Sequence, residues 1–174
     1  MMKLKYAFAA VAAIAATFVI AQDKPAASPT DIQGTTPQFK MTGADGKAFS
    51  NEDLKGKVVL VDFWATWCGP CKVASPAVQA LHEKYGEKGL VAIGANCFER
   101  ENKDTAAGNY AKEHKYTYLM TVNNDALAKA WNVRGIPTFA ILDKAGKVRK
   151  VQVGFAKGKT ETVLEDAVKQ LLAE

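Results

Sequence analysis

The sequence has little cysteine and no concentration of charge. Its three cysteines among 174 residues are too few to hold together a disulfide-rich mini-protein. The formal net charge is only +5, with 23 basic against 18 acidic residues spread along the chain. A surplus of this size keeps many proteins soluble, so we expect no nucleic-acid partner. Apolar residues make up 48% and charged residues 24%, which excludes a disordered or collagen-like chain.

Acidic residues are also missing from the first 21 positions. Lys3 and Lys5 precede residues 6–21, which are uncharged and mostly Ala, Val, Ile and Phe. This pattern is typical of a secretory signal that is cleaved after Ala21. A helix over the apolar run would span about 24 Å at ~1.5 Å per residue, which is short of the ~30 Å membrane core. A retained membrane anchor is therefore the weaker alternative, and we expect an exported, periplasmic protein.

The sequence divides into three parts. Residues 1–21 are the predicted signal peptide, residues 22–36 a flexible linker rich in Ala, Pro, Ser and Thr, and residues 37–174 one folded domain. Exported proteins occupy compartments in which disulfides persist, so thiol chemistry is the expected use of the cysteines.

Apolar and amphipathic segments alternate along the domain. Residues 57–64 are almost continuously apolar, as in a strand that is buried on both faces. Residues 160–172 have the apolar spacing of an amphipathic helix. The other predicted elements are a hairpin of 38–42 with 47–50, strands at 90–95, 119–122, 138–142 and 148–153, and helices at 68–85, 105–114 and 125–131. The alternation predicts an α/β fold, a three-layer sandwich with a mixed central sheet and helices on both faces.

A Cys-x-x-Cys motif, Cys68 to Cys71, follows the first buried strand and opens the first long helix. A helix N-terminus carries partial positive charge and unpaired N–H groups, which stabilise a thiolate. Cys68 is therefore the predicted attacking thiolate, and Cys71, one turn inward, would resolve the mixed disulfide. The alternatives are an inert structural disulfide and half of a zinc site. Zinc is disfavoured because no second Cys-x-x-Cys motif supplies the remaining ligands, and we expect neither metal nor cofactor.

Asp62 is the one acidic residue in the predicted strand 57–64. Its apolar neighbours favour burial over a surface position. A buried carboxyl without a partner has a raised pKa and can exchange protons near neutral pH. Asp62 is therefore a candidate to accept the proton of Cys71, and a purely structural buried acid is the alternative.

Pro137 precedes the strand predicted at 138–142. A proline in this place often only ends the preceding segment. The functional alternative is a cis bond between Ile136 and Pro137, which would turn the chain tightly and present backbone polar groups to a peptide.

Taken together, these motifs resemble those of the thioredoxin-fold thiol–disulfide oxidoreductases. The matching segments are VDFWATWCGPCK at 61–72, VRGIPT at 133–138, GKV at 146–148 and VG at 153–154. The resemblance covers about residues 36–173. The apolar N-terminus, the extension at 35–56 and the insert between Cys97 and Tyr116 resemble the TlpA/ResA branch of exported thioredoxins.

The resemblance implies a role for each matching residue. Cys68 and Cys71 would cycle between dithiol and disulfide, with a cis bond before Pro137 lying against them. The implied substrate groove consists of Trp67, Gly69, Pro70, Ile136, Pro137, Thr138 and Gly154.

This sequence departs from the resemblance around Asp62. Thioredoxins have a Lys beside the buried Asp on the neighbouring strand, and the matching position here is Ile93. Many TlpA-like proteins have Asn where this chain has Asp62. We therefore expect a carboxyl that is less well compensated than in thioredoxin.

The third cysteine, Cys97, follows the strand predicted at 90–95. A buried, inert thiol is the favoured interpretation and a redox role the alternative. His82 and His114 are expected on solvated helix faces without a functional role.

These observations favour an exported thiol–disulfide oxidoreductase that reduces disulfides in envelope proteins. The expected partners are protein substrates with disulfides or thiols, apocytochrome c among the candidates, and a membrane thiol electron donor. We expect a monomer. A disulfide oxidase or isomerase is the main alternative. A peroxiredoxin-like peroxidase is less favoured because Ala65 stands where that family has Thr, and a non-catalytic binding module is a further alternative.

Overall fold

The computed structural model describes residues 32–174, which form a seven-stranded sheet and four α-helices. The strands are β1 (Lys40–Gly43), β2 (Ala48–Ser50), β3 (Val58–Trp64), β4 (Leu90–Asn96), β5 (Leu119–Val122), β6 (Thr138–Leu142) and β7 (Val148–Val153). The helices are α1 (Gly69–Tyr85), α2 (Ala106–His114), α3 (Asp125–Ala130) and α4 (Lys159–Ala173). The predicted signal peptide and residues 22–31 of the predicted linker lie outside the described residues.

The sheet is mixed, with the strand order β2-β1-β5-β4-β3-β6-β7. Strands β3, β4 and β5 are parallel neighbours, whereas β1, β2, β6 and β7 pair with their neighbours in the antiparallel sense. Helix α1 connects β3 to β4 and helix α2 connects β4 to β5, as parallel connections require. The predicted fold class is confirmed, and the predicted hairpin of 38–42 with 47–50 is present as the antiparallel pair of β1 and β2.

Strand β3 is the central element that leads to the cysteines. All seven of its residues are buried, because β4 and β6 flank it and both of its faces are covered. Its apolar composition is that of a strand without a solvent face. Asp62 is the single ionisable residue within it.

The two faces of the sheet pack against separate cores. On one face, Leu60 and Trp64 of β3 pack with side chains of α1, α2 and α4. On the other face, Val61 and Phe63 pack with α3, Trp131 and the segment around Phe39. Successive residues of β3 alternate between these cores, as strand geometry requires. Helices therefore cover both faces, and the architecture is a three-layer sandwich.

The described chain begins with a segment that is bonded to the domain. The N–H of Gly34 donates to the carbonyl of Val148 at 2.7 Å, and the N–H of Val148 donates to Thr35 at 2.8 Å. Residues 32–36 thus lie along the start of β7. Within residues 32–174, no helix has the length and apolar character needed to cross a membrane.

Candidate active site

Cys68 is the N-cap residue of helix α1. Strand β3 ends at Trp64, and after three intervening residues Cys68 adopts an extended conformation with φ −82° and ψ 105°. Its Sγ accepts a hydrogen bond from the N–H of Cys71 at 3.2 Å. Gly69 and Pro70 form the first helical turn, where a proline removes no helical hydrogen bond. The predicted position at the start of α1 is confirmed.

The two cysteines form a disulfide. The S–S distance is 2.02 Å and the two Cα atoms are 5.2 Å apart. Cys71 is fully buried, whereas 3% of Cys68 is exposed. An external reagent or client can therefore reach the pair only from the side of Cys68.

The loop before β6 lies against this disulfide. The Ile136–Pro137 bond is cis, and the carbonyl oxygen of Ile136 is 3.7 Å from the Sγ of Cys68. The N–H of Gly154 donates to the carbonyl of Pro137 at 2.8 Å, and the hydroxyl of Thr138 donates to Gly135 at 2.7 Å. These bonds fix the loop and bring the end of β7 beside it.

The surface around Cys68 contains the residues of the predicted groove. Ile136 and Gly154 are half-buried, while Pro137 and Thr138 are buried beneath them. Trp67 is 46% exposed and Val153 is 44% exposed, which is unusual for such large apolar side chains. Gly69 and Pro70 are also exposed. The fold thus gathers all seven predicted groove residues around one end of the disulfide or in the loop against it.

Asp62 is fully buried, and neither carboxylate oxygen has a hydrogen-bond partner. It lies on the face of β3 that also carries Leu60 and Trp64, whose core includes Cys71. Burial raises the pKa of Asp62 from 3.8 to about 8, because the ionised form loses its hydration without gaining a partner. The predicted burial is confirmed.

The prediction that Ile93 is the neighbour of Asp62 on the next strand is wrong by one residue. The parallel register of β3 and β4 pairs Asp62 with Gly94, whereas Ile93 pairs with Val61 and packs into the opposite core. A Cβ atom added to Gly94 would lie 2.7 Å from the Sδ of Met120 and 3.0 Å from the Nε1 of Trp64. These side chains fill the place beside Asp62 that a lysine would need.

Cys97 is buried away from the disulfide. Its N–H donates to the carbonyl of Trp64 at 2.9 Å, which places it at the same end of the sheet as the cysteine pair. Its side chain, however, packs in the core on the opposite face from Cys71. Burial raises the pKa of Cys97 to about 12, so the thiol is protonated at physiological pH.

Glu99 is a site residue that the sequence did not reveal. It lies in the loop after β4 and is 7% exposed. Its carboxylate accepts hydrogen bonds from the N–H and the hydroxyl of Thr66, at 2.6 and 2.9 Å. Thr66 belongs to the short segment between β3 and Cys68. In the sequence, Glu99 begins a polar, charged stretch (residues 99–104) that has the composition of a solvated loop, so no local pattern indicates its burial.

No metal centre accompanies the disulfide: within residues 32–174, no three His, Cys, Asp or Glu side chains converge where an ion could bind.

Residues 32–168 match the Redoxin family. The chain belongs to the Redoxin family. It is 34% identical to the thioredoxin-like protein YneN of Bacillus subtilis over 118 residues, which are 68% of this chain and 69% of YneN. It is 32% identical to the thiol-disulfide oxidoreductase ResA of Bacillus thuringiensis over 143 residues, which are 81% of this chain and 79% of ResA.

A solved structure supports the same assignment. The thiol:disulfide interchange protein of Chlorobium tepidum, a thioredoxin family protein, superposes with a TM-score of 0.66 at 30% identity. The match covers 79% of this chain and 94% of that protein. With its disulfide-forming Cys68–Cys71 pair, this Redoxin-family chain is a TlpA/ResA-like protein-disulfide oxidoreductase of the thioredoxin fold.

Proposed function

We propose that the protein is exported and reduces disulfides of envelope proteins, with Cys68 as the nucleophile. The observation that carries the proposal is the position of Cys68 as N-cap of α1, where its sulfur accepts the N–H of Cys71. In the reduced protein, this donor and the positive end of the helix dipole stabilise a thiolate. The thiolate is the reactive form in disulfide exchange.

The reaction begins with attack of the Cys68 thiolate on one sulfur of a client disulfide. A mixed disulfide forms between Cys68 and the client, and the other client sulfur leaves as a thiolate that takes a proton from solvent. Cys71 then loses its proton and attacks the Sγ of Cys68. This step releases the second client thiolate and forms the Cys68–Cys71 disulfide, so that two electrons pass from the pair to the client.

Asp62 is the proposed acceptor of the Cys71 proton. It is buried on the face of β3 whose core contains Cys71, and its pKa of about 8 is close to that of an ordinary thiol. Proton transfer between groups of similar pKa is nearly balanced in free energy, and bulk water has no direct access to a fully buried Cys71.

Client recognition is assigned to the groove around Cys68. An extended client segment would lie over Trp67, Ile136 and Gly154 and meet the backbone of the loop at Pro137. The exposed rings and side chains there provide apolar contact, and the fixed loop provides backbone groups for hydrogen bonding.

The direction of electron flow is assigned from the Gly69–Pro70 dipeptide, which resembles that of reducing thioredoxins. A reductant in an oxidising compartment needs a supply of electrons, and we assign this to a membrane thiol donor. Apocytochrome c is one candidate client. Export is supported by the basic start and apolar run of residues 1–21.

The direction is tested by the reduction potential of the pair, measured by equilibration with dithiothreitol or glutathione buffers. A potential near the thioredoxin value of ~−270 mV supports the reductant, and one near ~−120 mV the oxidase. A Cys71→Ala variant of the full chain, expressed in its native cells, traps clients as mixed disulfides on Cys68. Cell fractionation and N-terminal sequencing then test export and cleavage before Gln22.

A further inference from the structure

The loop after β4 turns back toward the cysteine pair at Phe98. This residue has a φ of 59°, in the left-handed region that residues other than glycine seldom adopt. Its N–H donates to a carboxylate oxygen of Asp125 at 2.6 Å, which holds the turn in place. Such conformations cost free energy and persist where surrounding contacts enforce them.

Three residues of this turn contact Thr66 and Trp67, which precede Cys68. The carbonyl of Phe98 accepts a hydrogen bond from the indole Nε1 of Trp67 at 2.9 Å. The guanidinium of Arg100 lies over the Trp67 ring, 5.1 Å from its centroid. Glu99, between these two residues, bonds Thr66 through both carboxylate oxygens.

The Glu99 carboxylate is held by neutral donors on the inside of the molecule. Its Oε1 accepts from the N–H of Thr66 and from the side-chain amide of Asn96 at 2.7 Å, and its Oε2 accepts from the Thr66 hydroxyl. Hydrogen bonds to an ionised acceptor are stronger than those between neutral groups. Asn96 pairs with Trp64 in the sheet register. Glu99 therefore connects residues 65–67, which lie between β3 and Cys68, to the hydrogen-bonded ends of β3 and β4.

We propose that Glu99 is a positioning residue that fixes Thr66 and Trp67, and through them the sulfur of Cys68. The inference rests on the proposed role of Cys68 as nucleophile. Only three residues separate β3 from Cys68, and an error in the position of a reacting group of about 1 Å can slow a reaction by ~100-fold.

The substitution Glu99→Gln distinguishes the effect of the hydrogen bonds from that of the charge, because it removes the charge and can keep the bonds. In Glu99→Gln, the amide oxygen can accept from Thr66 N–H and Asn96, while the amide nitrogen donates to the Thr66 hydroxyl, since a hydroxyl can donate or accept. Glu99→Ala removes the charge and all three bonds. Glu101, an exposed residue of the same loop, provides the control Glu101→Ala.

The experiment measures single turnovers of the pre-reduced full chain with insulin, and the pH dependence of Cys68 alkylation by iodoacetamide. We expect a loss of at least ~10-fold in turnover for Glu99→Ala. Glu99→Gln and Glu101→Ala should stay within about twofold of wild type. Because Ala and Gln both remove the charge, a higher apparent pKa of Cys68 in Glu99→Ala than in Glu99→Gln reports the lost geometry alone.

Equal turnover in Glu99→Ala and Glu99→Gln, whether both are fast or both slow, would overturn the positioning role. If Glu99→Ala is unfolded by circular dichroism, Thr66→Val against Thr66→Ser replaces it. Thr66→Val loses only the hydroxyl bond and should be several-fold slower than Thr66→Ser, and equal rates would overturn the inference. A wild-type protein that is alkylated first at Cys71 or does not reduce insulin contradicts the proposed function instead.

Discussion

Asp62 lies directly opposite Gly94 in the parallel pair of β3 and β4, and neither carboxylate oxygen accepts a hydrogen bond. The carboxyl is therefore compensated neither by a cation nor by a donor. Its burial at the centre of the sheet makes the ionised form costly, which raises its pKa to about 8. The raised pKa predicts how stability depends on pH and, together with the proposed role of Asp62 as proton acceptor, how turnover depends on pH.

The first prediction is that Asp62→Asn stabilises the oxidised protein, increasingly so as the pH rises from about 4 to 8. The folded protein holds the Asp62 proton up to a pKa of about 8, whereas the unfolded chain releases it near 3.8. The contribution of Asp62 to the free energy of unfolding of the wild-type protein is therefore fully present below pH 4. It is lost as the pH rises through 8. The gain in the variant at pH 8 should be on the order of a few kcal/mol. Urea unfolding of both proteins between pH 4 and 8.5 measures it, and a gain independent of pH would contradict the raised pKa.

The second prediction concerns turnover of the same variant. Asp62→Asn should slow the resolving step by roughly 10- to 100-fold, near the low end of what a general base supplies. Below pH 8 the wild-type and variant rates both rise with pH, so their ratio is constant. Above pH 8 ionisation of the Asp62 carboxylate approaches completion, while the Cys71 thiol continues to ionise in the variant, so the ratio shrinks. Single-turnover reduction of insulin from pH 6 to 9.5 measures this ratio. Asp166→Asn, a change at an exposed acid on α4, is the matched control, and an Asp62→Asn rate equal to that of the control would make Asp62 purely structural.

The third prediction is that Cys68 is alkylated first when the reduced protein meets iodoacetamide. The N–H of Cys71 and the start of α1 should lower the pKa of the Cys68 thiol below the ordinary ~8.5. Cys71 is fully buried, and Cys97 is 1% exposed with its pKa raised to about 12. Peptide mass spectrometry after short labelling at pH 7 identifies the modified site. Faster labelling of Cys97 or Cys71 would show that the helix N-terminus does not select the nucleophile.

The fourth prediction is that Gly94→Ala destabilises the fold by about 1–3 kcal/mol, the usual cost of adding a methyl group to a filled core. The new Cβ would meet the Sδ of Met120 at 2.7 Å and the Nε1 of Trp64 at 3.0 Å, so one of these side chains must move. Gly135→Ala is the control, because no atom lies within 4 Å of its added Cβ and its φ is not positive. Thermal unfolding of both variants compares them, and equal midpoints would show that the space beside Asp62 is not closed.

Much of the fold was predictable because each element carries a local signal. The apolar run at 58–64 requires a strand buried on both faces, and Gly86 ends α1 where the sequence indicates. The disulfide-forming pair and the buried Asp62 also follow from residues close to one another along the chain.

The features that sequence did not reveal depend on distant contacts. Gly94 rather than Ile93 lies opposite Asp62 in the parallel register of β3 and β4. Both strands are almost continuously apolar, so their sequences lack the alternation of apolar and polar residues that would distinguish one register from the next. Glu99 can be buried because Thr66, 33 residues earlier, supplies two of its three hydrogen-bond donors. Neither partner is visible in the pattern around the residue itself.

The crowding around Gly94 also limits how this protein could be redesigned. Thioredoxin-like redox centres could in principle be tuned by placing a cation next to the buried acid. Here Met120, Trp64 and Tyr118 already occupy the volume above Gly94, so a long basic side chain could enter only after several of them had been made smaller. A cation can therefore be placed next to Asp62 only after space has been made in the core. Libraries that vary position 94 alone should yield few folded variants.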